Sequence, residues 1–395
     1  MDKMLVDTLG DVTITNDGAT ILKEVDVQHP AAKMMVEISK ATDTEVGDGT
    51  TSTVVLAGAL LEKAEELIGK NVHPTVVVDG FKKASERAIA ELRQIGIKVD
   101  PLDKKLLKKV AVTTLSSKLV SSNSDELADI IVDAILSVVE KTGDKYKVDI
   151  DNVKLEKKGS SSIKNTQLIQ GIVLDKEVVH GGMPKRIENA KIALLNAPLE
   201  IEKTEFDAKI NINSPDQMQI YIDEENKMLK KLVDKIVVHD ALMAVKDVVE
   251  YPVILVGGGA PESRIAAKIR EWANSLEGRP QLAAQKFAEG LETIPLVLAE
   301  NAGMDPLDTQ VQLRSKATTG KATFGIDVIN AKVADLESQN VIEPLAVKEQ
   351  VVNAATEAAC MILRIDDVIA ASKSSGHAPP NGPPGGMGGM GGMDM

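Results

Sequence analysis

Apolar positions in the first third of the chain recur at intervals of three and four. Between Gly49 and Lys70 they are Val54, Ala57, Leu61, Ala64 and Leu67, the spacing of one helix face. After Pro74 the pattern repeats with Val77, Phe81, Ala84, Ala88 and Leu92. A proline suits a helix start, because the N–H it lacks would have had no intrahelical partner. By the same logic a helix begins at Pro30, with Met34, Met35 and Ile38 opening its apolar face, and ends near Thr44. Two more are expected over Leu106 to Thr114 and Ser124 to Lys141. Ahead of them, Val12 and Ile14 alternate before Asn16-Asp17-Gly18, with Ile21 and Leu22 beyond. That predicts a small β-hairpin turning at Asn16-Asp17-Gly18.

From Val148 to Pro198 the period changes. Val148, Ile150, Val153, Ile169, Ile172 and Val173, separated by polar stretches, predict strands joined by loops. Helical spacing returns over Ser214 to Asp247 and dominates from Ala260, broken by a strand-like piece at Ala322 to Ile329. The order helical, mixed, helical suggests an α-helical domain assembled from both chain ends with other material inserted between. From Ser372 the chain carries Pro379-Pro380, Pro383-Pro384 and three Gly-Gly-Met repeats, too poor in bulky side chains to build a core, so this tail is expected to be disordered.

Composition narrows the function. The 395 residues exceed one ordinary core, and only 2% are aromatic, which favours helix on helix packing and gives bases nothing to stack on. A formal charge of −13 repels phosphate backbones, so nucleic-acid binding is not expected, while a local mononucleotide site survives this test. A single cysteine, Cys360, allows no intrachain disulfide. With no apolar run of spanning length and no signal-like start, no membrane association and a cytoplasmic location are expected.

Gly47-Asp48-Gly49-Thr50-Thr51 stands where a helix begins. Its glycines allow positive φ and close backbone approach, the helix N-terminus offers unpaired N–H groups, and the threonines add hydroxyls. Asp48 beside a phosphate cradle makes sense if it holds Mg²⁺. The same residues also fit a loop in which Asp48 and Thr50 cap the helix. Val256-Gly257-Gly258-Gly259-Ala260 implies a tight turn or a close approach. Lys118 could reach a phosphate, and Asp240 by itself passes for a helix-surface carboxylate. A small-molecule kinase is disfavoured because Gly-Asp-Gly-Thr-Thr lacks the P-loop lysine.

Taken in order, these motifs resemble the group II chaperonins of the archaeal thermosome type: Thr15-Asn16-Asp17-Gly18, His29-Pro30-Ala31-Ala32-Lys33, Gly47 to Thr51, Asp175 to His180, Gly257-Gly258-Gly259-Ala260, then Arg364-Ile365-Asp366-Asp367 and the tail. The resemblance implies a multidomain, mainly α chain. Its parts would be an equatorial domain from residues 1–102 and 259–371, an α+β intermediate domain from 103–173 and 237–258, an apical remnant with a lid-forming segment over 174–236, and the tail at 372–395. It implies an ATP-hydrolysing chaperone subunit of a double ring, with ATP and Mg²⁺ as cofactors, and sister subunits and unfolded proteins as partners. By position, Asp48 resembles the Mg²⁺-holding carboxylate, and Gly47, Gly49, Thr50 and Thr51 the phosphate contacts. Asp17 and Asp240 resemble the carboxylates that orient the attacking water, and Lys118 the lysine that senses the terminal phosphate. Gly258 is similar to a nucleotide-contacting glycine, Glu343 to the acidic residue at the ribose, and Asp327 to a residue near the adenine.

The chain is also expected to depart from that family. Family members carry a helix and a Leu-Gly-Pro-Lys-Gly-like loop ahead of the residues matching Met1-Asp2-Lys3. Asp234-Lys235-Ile236 passes almost directly to His239-Asp240, where most of an apical core would stand. A scaffold that assembles with impaired ATP and client binding is the alternative these departures raise.

Overall fold

A computed structural model describes residues 3–6, 12–25, 27–118, 121–156, 163–173, 178, 182–192, 238–320 and 322–368. The expected lid-forming segment Ser214 to Ile236, most of Asp175 to His180 and the Gly-Gly-Met tail lie outside them.

The helical periodicities produce α2 (Pro30–Val46), α3 (Thr50–Ile68) and α4 (Pro74–Ile95). The start of the chain differs from the expectation. Strands β1 (Lys3–Val6) and β2 (Val12–Thr15) pair with each other, Lys3 opposite Thr15. Asn16-Asp17 then leads into α1 (Gly18–Glu24). An aspartate followed by a small residue serves a helix cap as well as a turn, and here Asp17 caps.

After the short strand β3 (Ile97–Lys98) come α5 (Lys104–Ser116) and α6 (Ser124–Ser137). The last helix stops short of Lys141, because Val139–Thr142 (β4) folds back on Lys145–Val148 (β5) around Gly143, whose φ is 65°. Between Val148 and Ile192 the described residues form 3₁₀ turns at Ile150–Asn152 and Ile163–Asn165 and no strand. Ile169 and Ile172 stay exposed and lie in no strand.

The remaining elements are α7 over residues 238–250, β6 (Val253–Val256), α8 (Ala260–Ala273), α9 (Arg279–Asn301), α10 (Pro306–Thr318), β7 (Phe324–Asp327), β8 (Lys332–Asp335), β9 (Ile342–Pro344) and α11 (Leu345–Ile362). The expected strand piece is β7, paired with β8.

Among the described residues the two largest apolar clusters organise most of these helices. The larger joins α3 and α4 from early in the chain to α8, α9 and α11 from late in it, with Phe81 and Phe287 edge to face at 5.8 Å. The second gathers α5, α6, Val148 and α7. Between them runs an antiparallel sheet in the order β3-β6-β9. Alternate residues of a strand face opposite ways, and β6 uses this: Ile254 packs in the second cluster and Leu255 in the first.

Candidate functional site

Asp17 uses both carboxylate oxygens as the α1 cap, accepting from Ala19 N at 3.4 Å and Thr20 N at 2.7 Å. The hydroxyl of Thr50, at the start of α3, lies 3.5 Å from its Oδ1. Gly18 lies so close to this start that a Cβ on it would collide with the Thr51 hydroxyl.

The turn between α2 and α3 is built from two left-handed glycines, Gly47 at φ 65° and Gly49 at φ 79°. Asp48 and Thr50 do not cap α3. The Asp48 carboxylate accepts from Gly49 N at 2.7 Å, one residue too early, and the cap position belongs to Gly49, which has no side chain to offer. Side chains do cap α1, α2, α4, α5 and α10. No side chain accepts from the first turn of α3, as is also the case at α6, α8, α9 and α11.

Met243 of α7 fills the space where Gly47 lacks a Cβ, so one face of α7 lies on this turn. Asp240 and Asp247 are one turn to either side of Met243 on that face. Asp240 is 1% exposed, and Lys118 Nζ donates to its Oδ2 at 2.6 Å. Its Oδ1 is buried without a partner. Lys118 follows the end of α5, and the Asn16 amide donates to the Ser117 carbonyl, tying that end to the start of α1.

The charges act on one another. Burial pushes the Asp240 carboxyl up to about 8 against the pull of Lys118, and Asp48 and Asp17 add to the rise. For Lys118, burial pulls the ammonium down, but Asp240, Asp48 and Asp17 outweigh it and leave it raised. Asp43 of α2 is raised by burial and by Asp17, while His239 and Lys118 pull it back. Burial also drives Asp247 well up, and its Oδ2 is unpartnered. A site with this many carboxylates and one lysine favours a cation arriving with any phosphate.

A second group forms around the three glycines. Gly258 and Gly259 are left-handed, and Gly259 caps α8 without a side chain. Gly258 O accepts from Ile326 N at 2.8 Å, bringing β7 alongside. Glu343, opposite Leu255 in the sheet, fills the space where Gly257 lacks a Cβ. Asp327 is fully engaged: it accepts from Ile329 N, Asn330 N, Asn330 Nδ2 and Gln339 Nε2 at 2.8 to 3.2 Å. These donors, the Asn330 side chain first, hold its carboxyl down at about 2. The two groups connect through α11, which begins just after Glu343 and presses Val347 and Val351 on Gly49.

The structure thus gathers Asp17, Gly47 to Thr51, Lys118 and Asp240 in one place, and Gly258, Asp327 and Glu343 beside one another in the second group. Sequence reasoning passed over Asp43, Met243 and Asp247. For Asp247 a signal existed, since it stands seven residues after Asp240, on the same helix face. Among the described residues no three His, Cys, Asp or Glu side chains are grouped to hold a metal alone, and no helix is long and apolar enough to cross a membrane. A hard cation held by one carboxylate and substrate oxygens needs no such group.

An uncapped, glycine-hinged helix start, with the α7 face that bears Asp240 laid on its turn, is the kind of geometry that suits an anion, and comparison with known sequences supplies the family. The family model of the TCP-1/cpn60 chaperonin family matches residues 1–237 and 237–373, and the chain belongs to that family, as a group II chaperonin subunit. It is 42% identical to the thermosome subunit alpha of Archaeoglobus fulgidus, over 98% of this chain and 90% of that protein. It is also 42% identical to the thermosome subunit of Desulfurococcus sp. and 41% identical to thermosome subunit beta of Thermococcus kodakarensis, each over 94% of this chain and 88% of the relative. The first alignment runs over 491 positions against 395 residues here, so the relative carries long internal stretches without counterpart. The two matched segments abut at residue 237, where the resemblance to the family implies that most of an apical core is missing.

Proposed function

We propose that this chain is an ATP-hydrolysing chaperonin subunit that works in a cytoplasmic double ring of like subunits and acts on unfolded proteins. The observation that carries this is the α3 start, which has no side-chain cap, meets Asp17 through the Thr50 hydroxyl and is packed through Gly47 on Met243, one turn from Asp240 of the buried Lys118–Asp240 pair. In this proposal the amides from Gly49 to Thr51 and the threonine hydroxyls bind the phosphate chain, and Lys118 reaches its terminal group. Asp48 would hold Mg²⁺, which, when bound, neutralises phosphate charge. Asp240, with its unpartnered Oδ1, and Asp17 orient the water that attacks. Gly258 approaches the nucleotide closely, Glu343 meets the sugar, and Asp327 flanks the base while its carboxylate serves the β7–β8 turn.

The equatorial, intermediate and apical divisions anticipated from sequence are part of the same proposal, with Asp240 brought to Asp17 from a different domain so that closure completes the site. The β1–β2 hairpin leaves Met4, Val6, Val12 and Ile14 exposed, apolar surface that a sister subunit would cover. The test is Mg-ATP hydrolysis by the purified protein and by Asp48→Ala. Turnover in the first that collapses in the second is expected, and a parent without turnover refutes the proposal.

A further inference from the structure

Lys348, in the first turn of α11, is a buried cation that no step above uses. Its Nζ lies 2.8 Å from Glu262 Oε1 of α8 and 2.7 Å from Glu343 Oε2 of β9. Burial alone would lower its ammonium, but the two carboxylates outweigh that and raise it, so it stays charged. One carboxylate would be enough to pair it; here there are two, and they differ. The Glu262 side chain is 3% exposed and its Oε2 has no partner, whereas the Glu343 side chain is 25% exposed. Glu343 therefore reaches out of the core, with Oε2 tied to Lys348 and Oε1 laid against Gly257, where no Cβ would fit.

We infer that Lys348, anchored by Glu262, is a positioning residue that fixes the direction of the Glu343 carboxylate and thereby the sugar selectivity of the nucleotide site. The inference rests on the function proposed above. A carboxylate only accepts hydrogen bonds, so one held at the mouth of a glycine turn selects a ligand that presents hydroxyl donors, as a ribose diol does. Glu262 keeps Lys348 charged and in place when Glu343 turns part of its capacity to the ligand. Without it, a buried lysine would shed its proton or move.

The test compares steady-state hydrolysis of ATP, 2′-deoxy-ATP and 3′-deoxy-ATP by the parent, Lys348→Met, Lys348→Arg and Glu262→Gln. The parent is expected to favour ATP in kcat/KM by about 10- to 100-fold, the worth of one hydrogen bond to a charged group. Lys348→Met raises KM for ATP by about 10-fold, leaves kcat within about 2-fold, and brings the three nucleotides close together. Lys348→Arg restores part of the preference. Glu262→Gln, which keeps size and the buried contact, gives an intermediate loss and serves if Lys348→Met does not fold. Full preference for ATP in Glu262→Gln, or variants that slow all three nucleotides equally, overturns the inference and leaves a purely structural ion pair. A parent that does not turn over ATP instead refutes the underlying function, so the two failures are distinct.

Discussion

The β7–β8 hairpin and the inner face of α7 each bury an aspartate and treat it in opposite ways. Asp327 is given four donors and sits at about 2; Asp240 is given one lysine, keeps an oxygen unpartnered and sits at about 8. A carboxylate saturated by its own loop is finished as structure. One left short of partners in a closed space keeps an oxygen free, which the function proposed above uses to orient water. The two residues, both marked for the site from sequence, therefore separate by surroundings alone.

The sharpest break of this comparison is turnover. Asp240→Ala is expected to lower the ATPase rate by about 10²- to 10⁴-fold, and Asp327→Ala to change it little, measured as phosphate release at saturating Mg-ATP. Equal losses in both would erase the distinction. The pH profile comes next. A water-orienting Asp240 must be ionised, and its value near 8 means that the rate climbs with pH, about tenfold per unit well below 8, and levels off above it. A flat profile from pH 6 to 9 would remove Asp240 from that role.

Stability should separate the same residues with opposite signs. The raised Asp240 favours folding below its ordinary 3.8, and that contribution is lost as pH rises toward 8. The lowered Asp327 favours folding above 3.8 and loses that as pH falls through 2. In urea melts across pH, Asp327→Asn should remove part of the acid-side decline, by lowering stability at neutral pH toward its acid value, and leave the slope between pH 6 and 8 unchanged. At neutral pH, Asp327→Ala is expected to cost about 1–3 kcal/mol, because its donors lose their acceptor. The smallest effect belongs to an exposed carboxylate: Asp129, paired with Lys108 at 2.9 Å on the surface, should cost under about 1 kcal/mol as Asp129→Asn. A larger loss there would show that exposure is a poor guide to which carboxylates matter.

Helix positions were legible because α3 and α4 repeat apolar residues over many turns, and a long period is hard to mistake. The short elements were not. Asp17 has the neighbours of a hairpin turn, and only the approach of Thr50 and Thr51 shows why the chain coils there instead. The β4–β5 hairpin was hidden because Val138 and Val139 continue an apolar run that had been helical. Of the site, the glycine motifs were legible, since backbone freedom is written in residue type. The pairing of Lys118 with Asp240, 122 positions apart, and the saturation of Asp327 were not, because both depend on which elements meet.

The placement of Ile254 and Leu255, consecutive residues of β6, in different apolar clusters bears on how the molecule comes apart. Melting either cluster strips one face of the same strand and frees its ladder bonds to β3 and β9. The two clusters are therefore expected to share a single unfolding transition, with the β6 amides among the last to exchange with solvent. The strand would act as a torsion bar, passing a twist of α7 on to the helices of the larger cluster through backbone rather than through side chains.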